Sequence, residues 1–141
     1  MKILIINGVN LNLLGKREPQ IYGTLSFENY YQKLKNYYQN VDLELFTSNS
    51  ETDLINCIQV SDGVYDAIVL NAGAFTHTSI ALSDAVKSVQ VPVIEVHISN
   101  VYAREYFRQT SFLSPVCKGC ISGFGLESYR LAIESIVKKL L

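Results

Sequence analysis

The long segment after the first apolar run contains side chains that could move a proton. It follows residues 3–6 and carries Asn10, Arg17 and Tyr22 among neutral amides and glycines. A free phenol has a pKa of about 10. A cation at about 4 Å is worth about 4 kcal/mol at an effective dielectric of about 20, which equals about three pKa units. Arg17 could therefore make Tyr22 a base near neutral pH.

A second set of polar side chains follows the later apolar runs. Glu95 and His97 are two residues apart, so on a strand both side chains point to the same face. A carboxylate and an imidazole inside a parallel sheet are costly unless they have partners, which favours a functional role. Arg104 and Arg108 come next, at the spacing of neighbours on one helix face.

The carboxyl ends of parallel strands lie at one edge of a sheet, where α/β proteins keep their ligand crevice. This edge would also receive Asn71, His77, Ile98 and Ser99. We predict a crevice with a candidate base, a candidate acid, two cationic groups and several neutral donors. That content is typical of an enzyme that transfers protons on an anionic polyol or acid.

Each residue taken singly also has a structural interpretation, and the sequence leaves these open. Asn7 and the glycines after it could simply form turns. Tyr22 is one of nine tyrosines, and a tyrosine is more often a packing residue than a catalytic one. Thr76 or Thr78 could cap a helix, with His77 as a bystander. The two arginines could equally be surface charges.

Apolar runs and helical patterns alternate along the chain. The predicted strands are residues 3–6, 43–46, 67–70, 93–98 and 120–125. The predicted helices are residues 26–40, 51–62, 78–88, 103–112 and 126–141. Five β–α repeats with short connections predict a single α/β domain over residues 1–141. We expect a flavodoxin-like, doubly wound, five-stranded parallel sheet with helices on both faces.

Composition limits the classes of partner. The chain has 141 residues, of which 48% are hydrophobic and 18% charged, as in globular proteins. A net charge of -1 and a pI near 6.1 offer no basic field for nucleic acid. No apolar stretch approaches membrane-spanning length, and no signal-peptide pattern precedes the first strand. We expect a cytoplasmic protein that binds neither nucleic acid nor membranes.

The three cysteines, Cys57, Cys117 and Cys120, suggest no disulfide framework. Cys117 and Cys120 match the C-x-x-C pattern, but one pair with no nearby histidine is a poor zinc site. The pair also lacks the position of a redox motif, which normally opens a helix near an N-terminal strand. We interpret it as two small, partly buried residues at the start of the last strand, and we predict no metal site.

A series of motifs runs from the first strand into the last helix. They are NGVNLNLLG at 7–15, REP at 17–19, IYG at 21–23, NAG at 71–73, THTS at 76–79, EVHISN at 95–100, ARE at 103–105, FR at 107–108 and SP at 114–115. In order and spacing they resemble the signature of type II 3-dehydroquinate dehydratases. As a set, these motifs are highly specific for that family.

The resemblance implies an anti elimination of water from 3-dehydroquinate, which gives 3-dehydroshikimate in the shikimate (chorismate) pathway through an enolate, without cofactor or metal. It implies that the phenolate of Tyr22 accepts the proton and that Arg17 stabilises that phenolate and the developing charge. Asn10 would position a water beside the enolate. His97 would be the proton donor, with its ring oriented by Glu95.

The same resemblance implies residues that bind substrate and residues that form a lid or reach a neighbouring subunit. The carboxylate and hydroxyls of the substrate would be held by Asn71, His77, Ile98, Ser99 and Arg108. Arg104 matches a position on a mobile lid. Asp84 matches a position that reaches the site of a neighbouring subunit, in a family that usually forms a dodecamer built from trimers.

The main alternative is a non-catalytic flavodoxin-like module that binds a ligand or forms an oligomer. A nucleotide-binding loop after the first strand would be rich in glycine, serine or threonine, whereas this one carries leucines, Arg17 and Tyr22. None of the eight lysines falls in the predicted crevice, which disfavours a Schiff-base mechanism. The chain departs from the family pattern at Val9, Tyr102 and Tyr106, where proline, histidine and an acid are usual.

Overall fold

The computed structural model describes residues 1–16, 18–22 and 24–139, without the side chains of Pro19 and Tyr22. Two of the predicted catalytic groups, Arg17 and the phenol of Tyr22, therefore lie outside the described part of the chain. The last two residues of the predicted C-terminal helix also lie outside it.

Five parallel strands form one sheet. They are β1 (Lys2–Asn7), β2 (Asp42–Thr47), β3 (Ala67–Asn71), β4 (Val93–His97) and β5 (Gly119–Ser122), in the spatial order β2-β1-β3-β4-β5. This order confirms the predicted flavodoxin-like topology, in which ligands bind where the strand order reverses, at the carboxyl ends of β1 and β3. The last strand begins one residue earlier than predicted and ends three residues earlier.

In the described part of the chain, five α-helices connect or follow the strands. They are α1 (Pro19–Tyr22), α2 (Phe27–Tyr37), α3 (Glu51–Val60), α4 (Ile80–Ser88) and α5 (Glu127–Val137). The side chains of Ser26 and Ser50 cap α2 and α3, as their positions in the sequence predict. At α4 the cap is Ser79, whose hydroxyl accepts from the amide of Leu82, so neither Thr76 nor Thr78 has that role.

The sheet buries its two faces in separate apolar layers. Along β1, Ile3 and Ile5 pack in the layer with α2 and α5, whereas Leu4 and Ile6 pack in the layer with α3 and α4. Successive side chains of a strand point to opposite faces, so a continuous apolar run serves both layers. The helices therefore lie on both faces of the sheet, as predicted.

The predicted helix over residues 103–112 is wrong. The chain there forms two short 3₁₀ turns, Val101–Ala103 and Tyr106–Arg108, and otherwise irregular backbone. Tyr106 and Phe107 are exposed, so the segment has no apolar face to bury against the sheet. Part of its backbone forms hydrogen bonds with another segment instead, since the amide of Phe112 donates to the carbonyl of Thr76.

Among the described residues, the helices are all too short or too polar to cross a bilayer.

A buried polar contact ties β1, β3 and α5 together beneath the carboxyl edge of the sheet. The hydroxyl of Tyr129 donates to Asn7 Oδ1 at 2.8 Å and accepts from Asn71 Nδ2 at 2.7 Å. Tyr129 is fully buried, and burial raises the pKa of its phenol, which keeps the hydroxyl neutral. Asn7 thus has a structural role in the core rather than a turn-forming one.

A Tyr129→Phe variant is expected to be less stable by about 1 to 3 kcal/mol, because it leaves two buried amides without their partner. Urea unfolding followed by circular dichroism measures the difference. Tyr37→Phe is the matched control, since Tyr37 is exposed. Equal stability of the two variants would show that the Tyr129 hydroxyl contributes nothing.

Candidate active site

A cavity of about 180 Å³ opens at the carboxyl ends of β1, β3 and β4. It brings together most of the predicted site residues that the structure describes. Those that line it are Asn10, Asn71, His77, His97, Ile98, Ser99, Arg104 and Arg108. The remaining lining is largely apolar and includes Leu11, Leu13 and Leu14 from the segment after β1. The cavity therefore lies at the switch point of the sheet, where α/β proteins bind their ligands.

The segment after β1 approaches the cavity because glycine allows it to pass close to the β3 loop. A Cβ atom on Gly8 would lie only 2.4 Å from the carbonyl oxygen of Ala72. Asn10 then adopts a left-handed conformation with φ of 67°, and its amide donates to Asn49 Oδ1 at 2.8 Å. Asparagine tolerates this conformation better than most residues. The local backbone thus places Asn10 on the cavity wall.

His97 and Glu95 form a hydrogen-bonded pair at the end of β4, where their spacing predicts that both side chains point to the same face of the strand. His97 Nε2 lies 2.8 Å from Glu95 Oε1. An ionised carboxylate can only accept hydrogen bonds, so Nε2 carries the proton. This leaves Nδ1 as the ring nitrogen that can exchange a proton with a ligand in the cavity. Glu95 itself is fully buried and lies behind His97 rather than on the cavity wall.

Three hydroxyl groups surround the carboxylate of Glu95. Thr76 and Ser111 donate to Oε1, the latter at 2.8 Å, and Ser114 donates to Oε2. Burial by itself raises the pKa of Glu95, but the hydrogen bonds and charge of His97, together with Ser114 and Thr76, lower it to about 2. The carboxylate therefore stays ionised at neutral pH and can stabilise a positively charged His97 ring.

His77 lies beside His97 and faces the same cavity. The two rings are nearly parallel, with centroids 6.3 Å apart and an angle of 20° between their planes. His77 Nδ1 lies 2.7 Å from the carbonyl oxygen of Thr110, so Nδ1 is the protonated nitrogen and Nε2 can accept. Burial is the largest cause that lowers the pKa of His77. We therefore expect a neutral ring that receives a hydrogen bond from a ligand hydroxyl.

Arg104 and Arg108 both reach the cavity although they are not on a helix. Arg108 Nε lies 2.9 Å from Glu105 Oε2, and Arg104 Nη1 donates to Ser99 Oγ at 3.4 Å. The predicted shared helix face is therefore wrong, and the two arginines reach the same cavity from a segment of 3₁₀ turns and irregular backbone. The two guanidinium groups give this wall of the cavity positive charge suited to an anionic ligand.

Among the predicted site residues that the structure describes, Asp84 is absent from the cavity wall, as Glu95 is, but unlike Glu95 it does not contact a residue of the wall. It lies exposed on α4, with Lys87 Nζ 3.6 Å from its Oδ1. Its expected role in a neighbouring subunit stays a prediction.

Sequence reasoning missed the hydroxyl groups that hold Glu95. Thr76, Ser111 and Ser114 come from two segments far apart in the chain, and serines and threonines are too common to be singled out by type. The signal available in the sequence was a carboxylate on a strand predicted to be buried. A buried carboxylate requires hydrogen-bond partners, so hydroxyl groups near Glu95 could have been expected. Cys120 was also missed as a neighbour: its sulfur lies within 4.8 Å of ligand atoms of Glu95 and His97.

A Glu95→Gln variant is expected to lower kcat by about 10²-fold or more, within the range of general acid catalysis. The neutral amide cannot stabilise the positive charge that the His97 ring carries before it gives its proton to the leaving hydroxyl. Steady-state kinetics should therefore show a large loss of kcat with little change in KM. Glu44→Gln is the matched control, because Glu44 lies on the edge strand β2 and does not line the cavity. An unchanged kcat in the Glu95 variant would contradict this role.

The fold and the site together define a flavodoxin-like α/β enzyme with a carboxylate–histidine pair at its switch-point cavity. Residues 1–137 match the family model described as Dehydroquinase class II. The chain belongs to this family, which confirms the resemblance drawn from its motifs. Enzymes of this family are hydro-lyases, which remove water from their substrates.

Individual relatives are similar over nearly the whole chain. The 3-dehydroquinate dehydratase of Prochlorococcus marinus (strain NATL1A) is 52% identical over 142 residues, which cover 99% of this chain and 98% of that protein. The 3-dehydroquinate dehydratase of a Nitratiruptor species is 52% identical over 138 residues, which cover 96% of this chain and 88% of that protein.

Solved structures of the family have the same fold. The type II dehydroquinase from Butyrivibrio crossotus DSM 2876 matches with a TM-score of 0.94 and 46% identity, covering 97% of each chain. The type II dehydroquinase from Propionibacterium acnes matches with a TM-score of 0.93 and 39% identity, covering 97% of this chain and 96% of that one.

Proposed function

We propose that this enzyme removes water from 3-dehydroquinate to give 3-dehydroshikimate, by an anti elimination through an enolate and without a cofactor. The observation that carries the proposal is the His97–Glu95 pair, which lies at a cavity with cationic groups in a chain of the class II dehydroquinase family. The names of its relatives, at 52% identity, support the same substrate and reaction.

His97 is the proton donor for the departing hydroxyl. With Glu95 ionised and bonded to Nε2, a doubly protonated ring has Nδ1–H left to give to the leaving oxygen. When the proton has been transferred, the neutral ring keeps its bond to the carboxylate and its orientation. The buried Glu95 thus acts through His97 and does not touch the substrate.

Tyr22 is the base that removes the proton from the carbon alpha to the ketone. A phenolate is a sufficient base when the enolate oxygen is stabilised, and Arg17 lowers the cost of forming the phenolate. Asn10, on the cavity wall, positions a water beside the enolate oxygen. Tyr22 and His97 come from separate segments, as an anti elimination requires, because its base and acid act on opposite faces of the substrate.

The rest of the wall binds and encloses the substrate. Arg108, Asn71 and the backbone at Ile98 and Ser99 hold the carboxylate and a hydroxyl. His77 accepts from another hydroxyl through Nε2. Arg104 lies in the irregular segment after β4, which we propose closes over the ligand as a lid. Residues 1–141 act as one domain in this arrangement.

We propose that twelve chains assemble into a dodecamer built from trimers. In this assembly Asp84 reaches the site of a neighbouring subunit, as its exposure on α4 permits. We also propose that the enzyme works in the cytoplasm. Light scattering of the purified protein tests the assembly, and a mass of one or three chains would contradict it.

Conversion of 3-dehydroquinate by chelator-treated protein without additions tests the proposed reaction. The product is a conjugated enone, so its formation is followed by ultraviolet absorbance. Borohydride added during turnover should leave the enzyme active, because the mechanism includes no imine on a lysine. No absorbance change at high enzyme concentration would contradict the reaction, and borohydride inactivation that requires substrate would contradict the mechanism.

A further inference from the structure

An exposed thiol lies beside the buried Glu95–His97 pair. Cys120 is on the edge strand β5, in register with Glu95, so both side chains leave the sheet on the same face. Cys120 is exposed, whereas Glu95 is fully buried. The thiol sulfur, a carboxylate oxygen and an imidazole nitrogen lie within 4.8 Å of one another. These are the three ligand types that Zn²⁺ prefers in proteins.

The spacing of these atoms is close to that of a zinc site. With bonds of about 2.0 to 2.3 Å, a tetrahedral zinc ion holds its ligand atoms roughly 3.5 Å apart. His97 Nε2 and Glu95 Oε1 are 2.8 Å apart, so the distance between these two atoms must increase slightly when the ion binds. The sulfur of Cys120 must at the same time move closer to both. Shifts on the order of 1 Å would be enough for bonds of that length.

The surroundings of the three residues also suit a metal ion. Ser111 and Ser114 orient the carboxylate of Glu95, as partners of metal-binding carboxylates commonly do. Cys120 is exposed at the edge of the sheet, which gives the ion an entry path from solvent. Partial burial of the sulfur raises the pKa of the thiol to about 11, so the ion must displace the thiol proton. A tetrahedral zinc ion with three protein ligands takes water in its fourth position.

We propose that Glu95, His97 and Cys120 form a binding site for Zn²⁺ or a similar thiophilic divalent cation, and that its occupation inhibits the enzyme. The ion replaces the proton between His97 Nε2 and Glu95. That ring proton moves to Nδ1, and the thiol releases its proton to solvent. A metal-bound ring can no longer become the doubly protonated donor. The inhibition rests on the proposed role of His97, whereas the binding does not.

Cys117, the other cysteine of the C-x-x-C pattern, is not part of this site. It packs against the apolar layer of α3 and α4, and its sulfur is not among the three ligand atoms that lie within 4.8 Å of one another. The proposed ligands are therefore one cysteine with two residues of β4, not a pair of cysteines. A substitution of Cys117 is therefore a matched control for a substitution of Cys120.

Titration calorimetry of the tag-free full chain with Zn²⁺ tests the binding. We expect one ion per chain in the unmodified protein and affinity lower by at least about tenfold in Cys120→Val. Cys117→Ala and Cys57→Ala should bind as the unmodified protein does. Co²⁺ gives an independent readout, because a thiolate–cobalt charge-transfer band should appear in all of these proteins except Cys120→Val.

The activity assay then tests the consequence. Without metal, Cys120→Val should turn over substrate as the unmodified enzyme does, and Zn²⁺ should inhibit the unmodified enzyme but not this variant. Equal zinc binding by Cys120→Val, loss of binding in Cys117→Ala, or no binding to the unmodified protein would each overturn the site. An enzyme inactive on 3-dehydroquinate would refute the proposed function, while calorimetry and the cobalt spectrum would still decide the site.

Discussion

A His97→Asn variant is expected to lose about 10²- to 10⁴-fold in kcat, with a much smaller change in KM. Asparagine can still donate a hydrogen bond towards Glu95, so the pair's packing is largely kept. It has no proton that titrates, however, and so cannot protonate the leaving hydroxyl. Steady-state kinetics at saturating substrate measures the loss.

His77→Asn is the matched control for this prediction. His77 faces the same cavity, but its Nδ1 is bonded to a backbone carbonyl rather than to a carboxylate. Burial, the largest cause, lowers the pKa of His77, so its ring is poorly suited to hold a second proton. We expect this variant chiefly to raise KM. A larger kcat loss in His77→Asn than in His97→Asn would mean that the two histidines have the opposite roles.

A Tyr22→Phe variant is expected to lose a similar factor of about 10²- to 10⁴-fold in kcat while it still binds substrate. Phenylalanine keeps the aromatic ring but removes the oxygen that accepts the proton. The variant should also fail to exchange the alpha deuterium of labelled substrate with solvent, which mass spectrometry measures. The exposed Tyr37 provides the control variant, Tyr37→Phe, which should keep full activity.

The exchange reaction separates the two catalytic roles. If Tyr22 forms the enolate and His97 acts afterwards, His97→Asn should still exchange the alpha deuterium, whereas Tyr22→Phe should not. Exchange in Tyr22→Phe at the rate of the unmodified enzyme would remove Tyr22 from its role as base.

Much of the fold could be predicted from the sequence because the apolar pattern is strong. A run such as residues 3–6, which serves both apolar layers, is typical of a central parallel strand. The pattern failed at residues 103–112, where charges at helical spacing suggested a helix. Helices in proteins are stabilised mainly by packing an apolar face, and the aromatic side chains of this segment point to solvent instead.

The parts of the site that could be predicted are those in which the geometry of one strand decides where the side chains point. The spacing of Glu95 and His97 placed both on one face of β4, and the structure pairs them. The hydroxyls of Thr76 and Ser111, by contrast, contact Glu95 from segments that are distant in the chain. Such contacts cannot be predicted from the spacing of residues in a single sequence. The same holds for Cys120, which is adjacent to Glu95 only through the register of β4 and β5.

The stereochemistry of the elimination tests the central claim most directly. Substrate carrying one deuterium at the carbon alpha to the ketone, in a defined configuration, is converted and the product is analysed by mass spectrometry. With Tyr22 as base and His97 as acid on opposite faces, the hydrogen anti to the departing hydroxyl is lost. Deuterium in that position should therefore be absent from the product. Loss of the syn hydrogen would contradict the proposed mechanism.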